Sequence, residues 1–321
     1  MNTEVISASD CARAVTLLRN GEVVALPTET VYGLAADALD AIAVAKIFEA
    51  KERPRFDPLI VHLPDRDWLE KVADLGGQDR QLIEKLADTF WPGPFTIVLP
   101  KREIIPEIVT AGLDTVAVRI SVHSVFAQII RAFGGPLAAP SANRFGRISP
   151  TAVDHVFEEL NGRIPLIVDG GPPVHGLEST IVASRNERIE VLRRGPITER
   201  QLAEFGDIFV VGATLHPEAP GQLPSHYAPR TPLILVDDAS FAPATGKRCG
   251  LLSWKSSAVS SFAEVRRLSE RQDLTEAAAN FFRYLRELDN RGLDLIVAEK
   301  LPEEGLGAAI NDRLQRAATR N

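Results

Sequence analysis

Residues 212–232 read Gly212-Ala-Thr-Leu-His-Pro-Glu-Ala-Pro-Gly-Gln-Leu-Pro-Ser-His-Tyr-Ala-Pro-Arg-Thr-Pro232, and they decide how the chain is divided. Each of the prolines 217, 220, 224, 229 and 232 fixes φ and removes a backbone donor, so neither a helix nor a central strand can run through. The expectation is a semi-extended, fairly stiff linker. It separates two segments large enough to fold, giving expected units of 1–208, a linker of 209–232 and a C-terminal unit of 233–321.

Before the linker, short β-branched runs alternate with helical stretches. Strands are expected at 22–26, 59–62, 95–99, 115–120, 166–169, 179–183 and 189–192, and helices at 41–50, 80–90, 125–133 and 150–160. Ser149 is placed to cap the last helix, with Pro150 at its first position. Thr198 with Gln201 forms a capping-box pattern. After the linker the order is strand 233–237, strand 247–253, strand 263–268, helix 274–288, strand 295–299 and helix 306–318, a compact α/β unit. Gly305-Leu-Gly-Ala-Ala-Ile310 lacks the third small residue of a dinucleotide fingerprint and reads as a helix start after a loop.

Composition excludes several classes. The chain has 321 residues, 45% of them hydrophobic, and a net charge of -7 from 36 Lys+Arg against 43 Asp+Glu. Such a balance argues against sliding along nucleic acid. Cys11 and Cys249 are too far apart to form a metal-ligand pattern, and no disulfide framework is expected. No apolar run approaches the ~20 residues of a membrane span, and the start carries no secretory pattern, so the cytoplasm is the expected location and no membrane partner is expected. P-loop, GxSxG and HExxH patterns are absent. His62, His123 and His175 have no metal-ligand spacing. Catalysis by positioning and charge is the reading that remains.

Three loops carry the charge for it. Lys51, Arg53 and Arg55 lie on a segment held extended by Pro54 and Pro58, so that alternate residues face one way and can line an anion site. Ser141, Asn143, Arg144, Gly146, Arg147 and Ser149 lead into a helix start, where hydroxyls, an amide and free N–H groups suit an anion. Glu178-Ser-Thr-Ile-Val182 and Arg193-Arg194 form the third group. Arg119, inside the apolar run 116–120, must meet either a buried carboxylate of the protein or one from a ligand.

In order, Leu26-Pro-Thr-Glu-Thr-Val-Tyr-Gly-Leu34, Lys51-Glu-Arg-Pro-Arg-Phe-Asp-Pro-Leu-Ile-Val-His62, Trp91-Pro-Gly-Pro-Phe-Thr96, Ala139-Pro-Ser-Ala-Asn143 and Ser179-Thr-Ile-Val182 closely resemble the YrdC-like family. Pro220-Gly and Ser225-His-Tyr-Ala-Pro-Arg-Thr-Pro232, with an α/β tail behind, resemble its longer two-domain branch. The resemblance implies a twisted, open mixed α/β sheet with a concave basic cavity, plus a smaller Rossmann-like C-terminal domain. It further implies an L-threonylcarbamoyladenylate synthase, using ATP, L-threonine and bicarbonate with Mg²⁺ on the phosphates. The product would go to a separate threonylcarbamoyl transferase that modifies the adenosine beside a tRNA anticodon; direct tRNA contact would be weak.

By the same resemblance, Lys51 and Arg53 are the catalytic candidates. Thr30, His62, Arg119, Ala139 and Thr180 are expected to hold threonine. Lys51, Arg53, Asp57, Thr115, Ser141, Asn143, Ser149 and Arg194 are expected around ATP, with His226 or Tyr227 closing over it. Asp57 departs from the family pattern, since an acidic group beside phosphates repels unless it meets a metal or the ribose. An RNA-binding module without chemistry is the rival reading, opposed by the acidic total and the lack of an aromatic stripe. A carbamoyl-transfer enzyme is a third, opposed by the lack of room for further domains.

Overall fold

A computed structural model describes residues 2–319 apart from 77–78, 186–187, 238–245 and 256–260. One large sheet runs, in spatial order, β1 (Glu4–Ser7), β8 (Leu166–Asp169), β2 (Val24–Leu26), β3 (Gly33–Asp37), β7 (Leu137–Ala138), β4 (Ile60–His62), β6 (Thr115–Arg119), β5 (Phe95–Pro100), β9 (Thr180–Arg185), β10 (Arg188–Arg193) and β11 (Ile208–Val210). Its pairings are mixed: β4 and β6 run parallel, while β6 and β5, β2 and β3, and β9 and β10 are antiparallel. The expected mixed α/β sheet is what forms.

Strand periodicity sorts the faces. Val61, Ile97, Val118, Val182 and Val191 point to a core completed by α2 (Ala41–Lys51) and α4 (Arg80–Phe90), with the short helices α3 (Leu69–Val72), α5 (Glu107–Thr110) and α8 (Glu199–Leu202) at its rim. Their neighbours Ile60, Val98, Ala117, Ile181, Ala183 and Leu192 point the other way and pack under Ala219 of the proline-rich segment. Near the other edge, α1 (Cys11–Arg19) and α6 (Ser124–Phe133) cover β2 and β8.

Several expectations shift. β1, α1, β3 and β7 were not among the expected elements. β3 is Gly-Leu-Ala-Ala-Asp, short on β-branched residues, and is a strand because both its neighbours pair with it. The helix expected from Pro150, α7 (Val153–Leu160), begins at Val153 with Ala152 as its N-cap. Pro150 instead gives its carbonyl to the Tyr32 N–H (2.9 Å), and Ser149 turns its hydroxyl to Glu178, so tertiary ties displace the capping signal. The Thr198–Gln201 capping box does form.

Among the described residues of the C-terminal unit, four parallel strands lie in the order β12 (Leu233–Val236), β15 (Leu295–Glu299), β13 (Cys249–Ser253) and β14 (Glu264–Arg267). They pack against α9 (Leu274–Asp289) and α10 (Gly305–Ala318). Gly305 is the helix start its loop position suggested. Val31, Ile148, Leu177 and Tyr227 belong to this same apolar cluster, so the C-terminal core continues into the first unit and the linker. Among the described residues no helix is long and apolar enough to cross a membrane.

Candidate active site

Where the small-residue face of the sheet meets residues 212–232, here called the strap, lies a narrow cavity. Thr30, Gly33, His62, Arg119, Ala139 and Ser141 form its floor. Arg53, Glu178 and Arg193 stand at its sides, and Pro220, Gly221, His226 and Tyr227 close it. Most of the expected threonine residues thus converge, and the guanidinium-rich wall agrees with the expected basic cavity.

Residues 60 and 62 of β4, and 117 and 119 of β6, share the cavity face, which puts His62 and Arg119 side by side at paired strand positions. Arg119 answers the question its sequence position raised: it meets a protein carboxylate and also lines the cavity. Its Nη2 donates to Glu29 Oε1 at 2.5 Å and its Nη1 to Thr30 Oγ1 at 3.1 Å, while its buried Nε has no partner among the described residues. Burial raises the Glu29 pKa, but the Arg119 charge and the Ser121 hydroxyl outweigh it, and the carboxyl is held at about 2. Burial first, and then Arg119, pull His62 down to about 3, so the imidazole is neutral. Glu29 was legible within Pro27-Thr-Glu-Thr30 as a charge in a buried turn, yet it was not singled out.

Lys51 has a different place from the one expected. Standing at the C-terminal end of α2 and 1% exposed, it donates its Nζ to the carbonyls of Ser141 and Asn143, 2.5 Å from each. The ammonium bolts the Ser141–Asn143 loop in position and is not part of the cavity wall. Burial, then the Arg53 charge, lower its pKa well below the ordinary value. Arg53 does line the cavity, steadied by the carbonyls of Asp57 and Pro58 and by the Asp57 carboxylate 2.8 Å away. Asp57 is therefore the counterion of Arg53, which accounts for an acid in this loop. Arg55, expected beside them, is exposed to solvent.

The remaining nucleotide candidates divide. Ser141 is in the wall. Asn143 is buried behind it, its amide donating to the carbonyls of Arg144 and Arg147 and its Oδ1 without a partner among the described residues. Ser149 Oγ donates to Glu178. Thr115 begins β6, at the opposite end of the strand from Arg119, outside the cavity lining. Arg194 pairs with Glu199 and faces a separate depression beneath α10; Arg193, one residue earlier, is the arginine at this cavity. Thr180 precedes Ile181, which packs under the strap, so the pleat turns the Thr180 hydroxyl to the helix-covered side, where it donates to the Ile197 carbonyl.

The strap is packed rather than a free spacer. Ala228 N–H donates to the Gly146 carbonyl, and Arg193 Nη1 to that of Pro220. Tyr227 has φ of 63° and its ring packs edge-on to His226, 4.2 Å between centroids, and against Phe282 of α9. Burial, then the charges of Arg53 and Lys51, push the His226 pKa far below its ordinary value.

Among the described residues no three carboxylate, imidazole or thiol groups gather as a metal site. The acids near the cavity each face an arginine, Asp57 through one oxygen with Arg53, Glu29 with Arg119 and Glu178 with Arg313 of α10.

Comparison with known proteins agrees with this architecture. A family model described as "Telomere recombination", for the Sua5, YciO and YrdC proteins, matches residues 16–195, and one for the C-terminal domain of threonylcarbamoyl-AMP synthase matches 197–319. The threonylcarbamoyl-AMP synthase of Bacillus subtilis is 41% identical over 98% of this chain and 95% of its own length; that of Pyrococcus abyssi is 40% identical over 95% and 93%. The crystal structure of P. abyssi Sua5 complexed with L-threonine superposes with a TM-score of 0.91 at 38% identity, covering 98% of both chains. E. coli YciO shares the fold of the first unit, with a TM-score of 0.51 at 18% identity over 60% of this chain. With both family models met in sequence and the relatives matched end to end, the chain belongs to the threonylcarbamoyl-AMP synthase family.

Proposed function

We propose that this protein makes L-threonylcarbamoyl-AMP and pyrophosphate from ATP, L-threonine and bicarbonate, supplying a separate transferase that modifies tRNA. The observation that carries the reading is Arg119, a buried guanidinium at the cavity floor with an N–H left over after Glu29 and Thr30 are served. Such a group suits an amino-acid carboxylate. Glu29 keeps Arg119 from being an unpaired buried charge before the ligand arrives.

In the reaction the threonine amine, giving up a proton, adds to carbon dioxide, or to bicarbonate with loss of water, and an oxygen of the resulting carbamate attacks the α-phosphorus, expelling pyrophosphate. His62, neutral and facing the cavity, adds no positive charge beside the amine. Arg53 and Arg193 stand where phosphoryl charge develops, and Ser141 adds a hydroxyl; the chain contributes orientation and charge stabilisation, without a covalent intermediate. Lys51 acts at one remove, by fixing the Ser141–Asn143 loop. With the nearby acids engaged, Mg²⁺ would arrive on the triphosphate and offset its charge there. His226 and Tyr227 cover the cavity, a placement that keeps water from a labile carbamate.

The test is pyrophosphate release from Mg-ATP with L-threonine and bicarbonate each omitted in turn. Release that requires both is expected. Release without threonine would refute the assignment of the amino acid, and none at all would return the protein to a binding role.

A further inference from the structure

Glu178 is a carboxylate in the wall of a cavity built to hold polyanions, a placement that opposes binding unless the charge is answered. The answer comes from 135 residues away. Arg313, fully buried on α10, directs Nε and Nη2 at Glu178 Oε2, at 3.3 and 3.2 Å, and Nη1 at the Arg194 carbonyl at 2.6 Å. Its guanidinium carbon also lies 5.7 Å from the centre of the Tyr227 ring. The other oxygen of Glu178 accepts the Ser149 hydroxyl at 2.5 Å. Arg313 itself is not part of the cavity lining.

We propose that Arg313 is a positioning residue for the nucleotide side of the cavity: by neutralising and orienting Glu178, it makes a competent anion wall depend on the docking of the C-terminal unit. The proposal rests on the reading that the cavity takes ATP. A carboxylate with one oxygen on a first-unit hydroxyl and the other on a C-terminal guanidinium links the two units at the site. Undocking of α10 would leave the Glu178 charge without its guanidinium partner and withdraw a cation from the Tyr227 ring.

Charge and packing make opposite demands on the single variants. With Arg313→Met the Glu178 charge remains, so Mg-ATP should bind about tenfold more weakly, raising its KM with a smaller change in kcat. Glu178→Gln keeps an oxygen for Ser149 but removes the negative charge, so binding should tighten by a few-fold. The double variant should recover Mg-ATP binding to within about twofold of the parent. Titration calorimetry of the full chain with Mg-ATP reads this without relying on turnover, and threonine titration serves as the control. Should Arg313→Met fail to fold, Arg313→Lys, which retains charge but not the fork, takes its place, with partial weakening expected. Equal losses in both single variants, or unchanged Mg-ATP affinity in the folded Arg313 variant, would overturn the proposal. A parent protein that binds no Mg-ATP would instead refute the ATP reading beneath it.

Discussion

The floor and the roof of the cavity are held by different means. On the floor, Arg119 and Glu29 neutralise each other within one sheet unit, on or beside strands whose opposite faces are anchored in the main core. The roof has no core of its own. Arg316 of α10 donates to the Leu223 carbonyl at 2.6 Å, its own carbonyl accepts the His226 N–H, and Tyr227 packs into the C-terminal cluster. The floor is thus held within the first unit, whereas the roof is held between the two, by Gly146, Arg193 and the sheet face on one side and by α10 and α9 on the other.

Arg119→Met should break the floor most severely. It leaves Glu29 charged, buried and unpaired, at a cost of about 3–5 kcal/mol in urea denaturation, and L-threonine binding should be lost with it. A loss below about 1 kcal/mol would show that Glu29 finds another partner.

Acid should act on the floor through His62. Its imidazole is neutral in the fold down to about pH 3 but takes a proton in the unfolded chain below about 6.5, so the unfolded state binds more protons and stability falls as pH drops through that interval. Glu29 adds to the loss between 4.5 and about 2, where only the unfolded carboxyl is protonated. The pH–stability curve of His62→Asn should be shallower by up to about 4 kcal/mol between pH 6.5 and 3. Parallel curves would remove His62 as the source.

On the roof, Arg316→Gln removes one charged hydrogen bond to a buried carbonyl, worth about 1.5–3 kcal/mol. It should open residues 212–232 to limited proteolysis while Arg119 and its partners keep their threonine affinity. Weakened threonine binding of the same order would mean that floor and roof are one cooperative piece.

This division also governs what could be read in advance. The floor motifs are local and ordered, so the family resemblance could group Thr30, His62, Arg119 and Ala139 around threonine and set Ser141 with the nucleotide. Side-chain direction was harder. Thr180 was assigned to the cavity without the strand parity that turns its hydroxyl away, and Arg194 stood in for its neighbour Arg193 for want of the same register. Ser149 and Pro150 gave a sound helix-start signal that long-range ties to Glu178 and Tyr32 displaced. Lys51 looked like a free cation because its two acceptors are carbonyls some 90 residues on, which no side-chain pattern announces. The partnership of Glu178 and Arg313 spans the whole linker and has no local signature at all.

Gly221 gives the roof a further property. It has φ of 87°, and a β-carbon there would sit 2.7 Å from Tyr227 Oη and 2.9 Å from Arg193 Cδ. One added methyl would therefore press between strap and wall, so that the Tyr227 and Arg193 side chains must shift to admit it, on a backbone conformation that side chains other than hydrogen rarely adopt. A single-atom key of this kind offers a chemical means to prop the molecule ajar without touching a charge.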